Sequence, residues 1–121
     1  MAEKRNPKQY DLEDRTLEFA KRVRTFVKQL KKTIANEEDG RQLVKASGSV
    51  GANYIEANES LGKKDFLMRI KICRKEAKES RYWLRLIDAD GQAELEKERE
   101  ALENEARELA HIFGSIVTKS Q

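Results

Sequence analysis

The most constraining feature of the sequence is a regular spacing of apolar and small residues between positions 66 and 87. They recur at alternating intervals of four and three, which is typical of one side of a helix packed against other helices. They are Phe66, Ile70, Cys73, Ala77, Ser80, Leu84 and Ile87. Aromatic residues make up 7% of the chain and there is one proline, which argues against a sandwich or barrel with frequent turns. The sequence therefore predicts an all-α protein.

Similar periodicity predicts three further helices. The four helices are expected at about residues 12–34, 39–60, 64–88 and 93–118. The apolar stripe of the first is expected to end at Ile34 and that of the second at Leu61. We expect residues 1–10 to form a flexible tail and residues 36–40, NEEDG, to form the first connection. Short connections favour an antiparallel up-down-up-down four-helix bundle, here one domain over residues 11–119.

Two glycines, Gly48 and Gly51, lie inside the second predicted helix. Together they should cost about 2 kcal/mol relative to alanine, so another interaction must offset them. Close approach by another helix is the expected offset, because glycine has no Cβ; that helix can belong to the same chain or to a second copy. Asn53 and Glu56 lie away from the apolar stripe, where they face either solvent or a polar subunit contact.

The third predicted helix has a second apolar line, formed by Ile72, Trp83 and Leu86. Each of two apolar lines on one helix needs a neighbouring surface that buries it. The second line therefore indicates either an oligomer or a large tryptophan packed at the edge of the bundle. Both explanations are compatible with the sequence.

Charge is unevenly distributed along the chain, although the net charge is only +3. Residues 1–36 and 63–90 are basic, whereas residues 37–62 and 91–121 are acidic. This alternation indicates either electrostatic matching between neighbouring helices or a basic face for a polyanion such as RNA or DNA. The candidate nucleic-acid contacts are Lys64, Lys71, Lys75, Lys78 and Arg85 on the third helix, and Lys21, Arg22, Lys28 and Lys32 on the first.

Chemistry-bearing residues do not form a recognisable catalytic or metal-binding pattern. Glu108 and His111 have the Glu-x-x-His spacing of di-iron bundles, but such a site needs two of these motifs and His111 is the only histidine. Cys73 falls on the core stripe and is expected to be a buried, unpaired thiol. Glu76 and Glu79 lie among basic neighbours, which gives no cause for a raised pKa. We therefore expect no enzyme, no metal and no cofactor.

No segment approaches the roughly 18 consecutive apolar residues typical of a membrane span. The first ten residues, MAEKRNPKQY, also lack an apolar run. We expect a soluble, cytoplasmic protein with no membrane partner.

Several blocks of the sequence resemble the 23S rRNA intervening-sequence family, also called the S23 family. The resemblance covers about residues 11–119. The blocks are SGSVGANYIEA at 47–57, KKDFLMRI at 63–70, KEAKESRYWLRLI at 75–87 and, more weakly, IFGSIVTKS at 112–120. NEEDG departs from the longer, proline-containing first turn that is common in the family. The family is similar in fold to the accessory protein of diversity-generating retroelements.

The resemblance implies an antiparallel four-helix bundle that associates into a ring-like homopentamer without known catalytic activity. The retroelement relative binds nucleic acid through a basic surface and partners a reverse transcriptase. The motif positions Gly51, Asn53, Glu56, Tyr82 and Trp83 are then structural or subunit-contact residues. Together with the features above, the candidate subunit contacts are Gly48, Gly51, Asn53, Glu56, Ile72, Trp83 and Leu86.

Two functions remain open on the sequence. The favoured one is a non-enzymatic oligomer that binds structured RNA or DNA through basic outer helix faces. The alternative is a structural or protein-binding accessory assembly in which the basic helices serve only internal charge matching.

Overall fold

The computed structural model describes the backbone of residues 7–121 and the side chains of residues 12–121. Within that range the chain forms four α-helices and no strand, which confirms the all-α prediction. They are α1 (Pro7–Lys28), α2 (Ile34–Asn58), α3 (Lys63–Leu86) and α4 (Ala93–Ser120). The predicted tail includes residues 7–10, which are helical, and residues 1–6, which lie outside the described range. Pro7 suits the first turn of α1, where a missing N–H leaves no helical hydrogen bond unmade.

Each helix packs against two neighbours around a common apolar core. α1 and α3 both contact α2 and α4. On α3 the predicted stripe faces inward, with Ile70, Cys73, Ala77, Ser80 and Leu84 all buried. Complete burial of one large apolar side chain stabilises a fold by about 1.5–3 kcal/mol, so this stripe determines which face of α3 points inward.

The first connection lies earlier in the chain than predicted, over residues 29–33, and residues 36–40 belong to α2. Thr33 begins the helix, because its Oγ1 accepts a hydrogen bond from the backbone N–H of Asn36 at 3.0 Å. The prediction of NEEDG as a loop is therefore wrong. Acidic residues that resemble a loop in sequence here occupy the positive N-terminal end of a helix.

Two predicted core positions are exposed as a result of where the helices end. Ile34 is the first residue of α2 rather than the last of α1, and 85% of its surface is accessible. Leu61 lies in the connection between α2 and α3 and is fully exposed. In each case the predicted apolar stripe includes one position beyond the last helical turn that packs on the core.

Asn36 connects the two loops at one end of the fold. Its side-chain Nδ2 donates to the carbonyl oxygens of Lys31 and Asp88, each at 3.0 Å. Its Oδ1 accepts from the backbone N–H of Asp88 at 3.1 Å. The amide is buried, and these bonds satisfy both its donor and its acceptor atoms.

The connection between α3 and α4 contains the predicted Asp90-Gly91 turn. Both residues have left-handed backbone conformations, with φ values of 58° and 69°. Asp90 adopts this conformation with support from Asp88, whose Oδ1 accepts its N–H at 2.8 Å. The turn fixes where α4 starts and hence which α4 residues lie beside α3.

Candidate polyanion interface

The predicted basic residues of α3 are exposed. Lys64, Lys71, Lys78 and Arg85 take part in none of the ion pairs between residues 12 and 121. Lys75 differs, because its Nζ lies 3.8 Å from Oε2 of Glu76. Four of the five predicted α3 cations are therefore available to an external anion.

The predicted basic residues of α1 fall into two groups. Lys21, Lys28 and Lys32 are exposed, although Lys32 lies in the connection after α1. Arg22 is half-buried and makes two hydrogen bonds to Glu98 of α4, at 3.1 and 3.2 Å. Glu98 also raises the pKa of Arg22 above its ordinary value. Its guanidinium is held by the protein's own carboxylate.

A second arginine, Arg15, joins α1 to α4 in the same way. Its Nε and Nη2 donate to the two carboxylate oxygens of Glu105 at 2.7 and 2.9 Å, and Nη2 also donates to Glu108 at 2.8 Å. The hydrogen bonds that Arg15 donates to Glu105 are the largest cause of the raised pKa of Arg15. We call this set of contacts, with Arg22 and Glu98, the α1–α4 seam.

On the opposite side of α4 an open groove of about 600 Å³ lies on the surface between α4 and α3. We call it the α3–α4 groove. Five of its lining residues are Lys or Arg, one is His111, and none is acidic. The cations are Arg74, Lys78 and Arg81 of α3, with Arg107 and Lys119 of α4. None of these five takes part in an ion pair with another residue of the range 12–121.

The floor of the α3–α4 groove is made by small residues of α4. Ala106, Ala110 and Gly114 follow one another at intervals of four, so they lie on one line of the helix. A Cβ built on Gly114 would lie 3.7 Å from Cδ of Arg74, an ordinary contact distance. Small side chains thus keep the space between the two rows of cations open.

A further basic concavity of about 550 Å³ lies between α1 and α2, near their connection. Its charged lining residues are Lys28, Lys31, Lys32, Glu37, Arg41 and Lys45. Two of these cations have weak partners: Lys31 lies 4.0 Å from Asp90, and Arg41 lies 4.0 Å from Glu38. The predicted Lys28 and Lys32 therefore contribute to a basic surface distinct from that of α3.

The two glycines of α2 meet α1 within the same chain. A Cβ on Gly51 would lie only 2.8 Å from Oγ1 and 3.2 Å from Cβ of Thr16, which is buried. At Gly48 the nearest atom would be Nη2 of Arg24 at 3.4 Å. Intrachain packing therefore accounts for Gly51, whereas Gly48 lies below the end of a flexible side chain.

The other candidate subunit contacts are only partly engaged. Asn53 accepts a hydrogen bond from Nη1 of Arg69 at 3.0 Å and so joins α2 to α3. Trp83 packs against the core, as the edge-packing alternative predicts, while Ile72 is half-buried and Leu86 is 48% exposed. Glu56 is exposed. Uncovered apolar surface therefore remains on α3 within this chain.

An apolar groove of about 340 Å³ follows the contact between α1 and α2. The small residues Gly48, Gly51 and Ala52 line it, together with the exposed side chains of Leu17 and Ile55. We call it the α1–α2 groove. Both glycines of α2 therefore lie in one continuous concavity.

The reactive side chains are separated from one another. His111 is exposed in the α3–α4 groove, while Cys73 is fully buried and burial raises its pKa to about 12. Among the described residues no group of His, Cys, Asp and Glu is arranged to hold a metal ion. Partial burial, with a smaller effect of Glu79, raises the pKa of Glu76. The prediction of no cause for such a shift is therefore wrong, because burial raises the pKa of Glu76 despite its basic neighbours.

Four of the groove cations were not among the predicted contacts, namely Arg74, Arg81, Arg107 and Lys119. Each helix alone shows only one wall of the groove. A usable signal was the spacing of Arg74, Lys78 and Arg81, because intervals of four and three place three cations on the side of α3 next to the core stripe.

These features define an all-α protein of four helices with extensive unmatched basic surface. The chain belongs to the family described as 23S rRNA-intervening sequence protein, whose model matches residues 8–115. The predicted family resemblance is thereby confirmed. The similarity to the retroelement accessory protein stays a prediction.

A solved relative supports the fold assignment. It is a protein of unknown function from the S23 ribosomal protein family of Bacteroides thetaiotaomicron VPI-5482, with a crystal structure at 1.70 Å resolution. The sequences are 28% identical and the TM-score is 0.71, over 87% of this chain and 96% of that one. A comparison with curated proteins gave no match. Among residues 7–121, no helix combines the length and apolarity required to cross a membrane.

Proposed function

We propose that this protein is a non-enzymatic cytoplasmic assembly that binds RNA or DNA through basic outer faces of α3 and α1. One observation carries the proposal: Lys64, Lys71, Lys78 and Arg85 are exposed on α3 and pair with no carboxylate among the described residues. Internal matching of the basic helices would require such carboxylates. The α1–α4 seam shows what internal matching looks like, and α3 lacks it.

A row of unmatched cations suits the phosphates of a nucleic acid. Each neutralised phosphate releases condensed counterions, so the affinity should fall steeply as the salt concentration rises. Self-association would multiply the number of such rows presented to one polymer. The buried thiol of Cys73 and the single exposed imidazole of His111 support a binding role without catalysis.

The proposed arrangement of the helices is antiparallel, up-down-up-down. Along α1 the contacts rise from Arg15 to Arg22 while their partners on α4 fall from Glu105 to Glu98. Contacts between α1 and α2 run in opposite directions in the same way, since Thr16 meets Gly51 and Val27 meets Gly40. Short connections also support the antiparallel order.

We further propose that copies of the chain form a ring-like homopentamer, as the family resemblance implies. The α1–α2 groove supports self-association, because its exposed Leu17 and Ile55 have no cover within the described chain. Ile72 and Leu86 offer a second apolar surface on α3. A mass near five times 14.0 kDa in analytical ultracentrifugation would support this state; a monomer would contradict it.

The binding proposal is tested with two charge-matched variants. Lys71→Glu reverses a cation of the α3 face, whereas Lys97→Glu reverses an exposed lysine of α4 that lies in neither basic concavity. Fluorescence anisotropy of labelled RNA and duplex DNA across a salt series should show a large loss only for the first variant. Equal affinity of both variants would contradict the assignment to α3.

Absence of binding by the intact wild-type protein at low salt would favour the alternative function. The chain would then be an accessory or scaffold subunit for a protein partner, such as the reverse transcriptase that the resemblance implies. The α1–α2 groove would be the first surface to examine in that case.

A further inference from the structure

We infer that the α3–α4 groove binds the phosphate backbone of a single, unpaired nucleic-acid strand and thereby selects single strands over duplexes. The inference deepens the proposed function and rests on it. It concerns a surface that combines Arg74, Lys78 and Arg81 of α3 with Arg107 and Lys119 of α4.

The positive charge of the α3–α4 groove suits the negatively charged phosphates of a nucleic-acid backbone. Cations line both walls, no carboxylate lines either wall, and Ser115 adds a hydroxyl group, whereas the hydroxyl of Thr118 donates to the carbonyl oxygen of Gly114 at 3.1 Å. Arginine and lysine side chains with neighbouring hydroxyl groups are the common donors to phosphate oxygens in nucleic-acid complexes. The groove is therefore a phosphate surface with donors on two sides.

The width of the α3–α4 groove selects the kind of nucleic acid. The axes of packed helices lie about 8–10 Å apart, so the α3–α4 groove is a narrow furrow on the surface between two helices in contact. In a duplex the bases are paired and face inward, so only the outer side of a backbone could reach the rim of this furrow, whereas an unpaired strand can follow it with its bases free to turn outward. Lys71 and Arg85, on the outside of α3, belong to that rim.

The length of the groove suits several successive nucleotides. From Arg107 to Lys119 α4 advances twelve residues, which corresponds to about 18 Å at a rise of about 1.5 Å per residue. Its floor of Ala106, Ala110 and Gly114 stays low over most of this distance. A channel of this shape follows a strand and does not enclose a single small anion.

An exposed aromatic ring lies next to the cationic wall. Tyr82 follows Lys78 by one turn of α3, is 56% exposed, and is braced by the edge of Trp83 at a centroid distance of 5.1 Å. Proteins that bind single strands without sequence preference combine a basic groove with aromatic rings on which bases stack. Tyr82 is placed to receive a base from a strand lying in the α3–α4 groove.

The deciding variant is Gly114→Leu, which fills the floor of the groove without changing its charge. Gly114→Ala is the matched control, because its Cβ makes only an ordinary contact with Arg74 at 3.7 Å. The probes are labelled 20-nucleotide oligo(dT) and oligo(rU), which separate DNA from RNA, and a DNA hairpin duplex. Circular dichroism tests whether both variants keep the helical content of the wild type.

We expect the wild type to bind the single strands more tightly than the hairpin. Gly114→Leu should weaken single-strand binding by about tenfold, the loss expected when about two phosphate contacts are removed, and should leave hairpin binding unchanged. Gly114→Ala should bind like the wild type. Tyr82→Ala should weaken the single strands but not the hairpin.

Three results would overturn the inference, and one of them would also overturn the proposed function. If Gly114→Leu and Gly114→Ala bind single strands equally, the strand does not lie in the groove, although nucleic-acid binding stands. If the leucine variant loses affinity equally for strand and hairpin, the groove does not select single strands. If the wild type binds no probe at low salt, both proposals fall.

Discussion

The two sides of α4 carry charged residues with opposite consequences. On the side that faces α1, Glu105 receives both nitrogen donors of Arg15 at 2.7 and 2.9 Å. On the side that faces α3, Arg107 shares the groove with Arg74 and Arg81, and no carboxylate lines the space between them. The same helix is thus matched to one neighbour and unmatched to the other.

A basic stretch of sequence can therefore have one of two structural roles. Residues 1–36 and 63–90 have a similar excess of positive charge, and the sequence alone treats them alike. Two arginines of α1 are matched by acidic residues of α4, whereas the cations of α3 that face α4 are not. A cation held by the protein's own carboxylate contributes to stability, and one without such a partner remains available for a ligand.

The largest change in stability is expected when a charge in the α1–α4 seam is reversed. Arg15→Glu would place a carboxylate beside Glu105 and Glu108 in a partly buried site and should lower the unfolding free energy by about 2–3 kcal/mol. Urea denaturation at fixed protein concentration measures the change. A second substitution, Glu105→Arg, should restore part of the loss by recreating the pair. Wild-type stability of the single variant would show that the seam is not structural.

A smaller effect is expected where α1 meets α2, a contact set by shape instead of charge. Gly51→Ala should destabilise the protein by about 1–2 kcal/mol, because the new Cβ would lie 2.8 Å from Oγ1 of buried Thr16. Gly48→Ala is the matched control on the same helix. There the added Cβ meets only the mobile end of Arg24, so the higher helix propensity of alanine should stabilise by up to about 1 kcal/mol.

Thermal and urea denaturation of the two alanine variants measure the sign of each change. Opposite signs would establish that close approach, and not glycine flexibility, determines the residue at position 51. If both variants change the unfolding free energy in the same direction, the close approach of Thr16 does not determine the residue at position 51.

The smallest effect on stability is expected on the unmatched side of α4. Arg81→Glu removes a cation from a wall of like charges, so the unfolding free energy should rise or stay within about 0.5 kcal/mol of the wild type. Single-strand affinity should fall in the same variant. A loss of stability as large as that of Arg15→Glu would remove the distinction between the two sides of α4.

The sequence predicted the helical core well, because helical periodicity is a local property. The stripe from Ile70 to Leu84 needed no knowledge of any other helix. The boundary between α1 and α2 was missed because a cap decides it. Thr33 resembles any other polar residue until its bond to the N–H of Asn36 is known, and NEEDG has the composition of a loop.

The candidate site was less predictable for a geometric reason. Exposed lysines such as Lys71 and Lys78 could be assigned to an outer face from their spacing. The α3–α4 groove, however, combines Arg74 with Arg107 and Gly114, each of which lies more than thirty positions after Arg74 in the sequence. The pairing of Arg22 with Glu98 could not be predicted for the same reason, so a residue predicted to contact nucleic acid is instead paired with a carboxylate of the protein itself.

Asn36 has a consequence for how uniquely this chain folds. Apolar stripes with helical spacing can slide past one another by one turn, about 5.4 Å, and still bury much of the same surface. The two hydrogen bonds of Asn36 to the backbone of Asp88 are possible in one register only, and a shifted register would leave its buried amide with the local bond to Lys31 alone. This single side chain therefore disfavours slipped alternatives and keeps the two pairs of helices aligned to each other at one end.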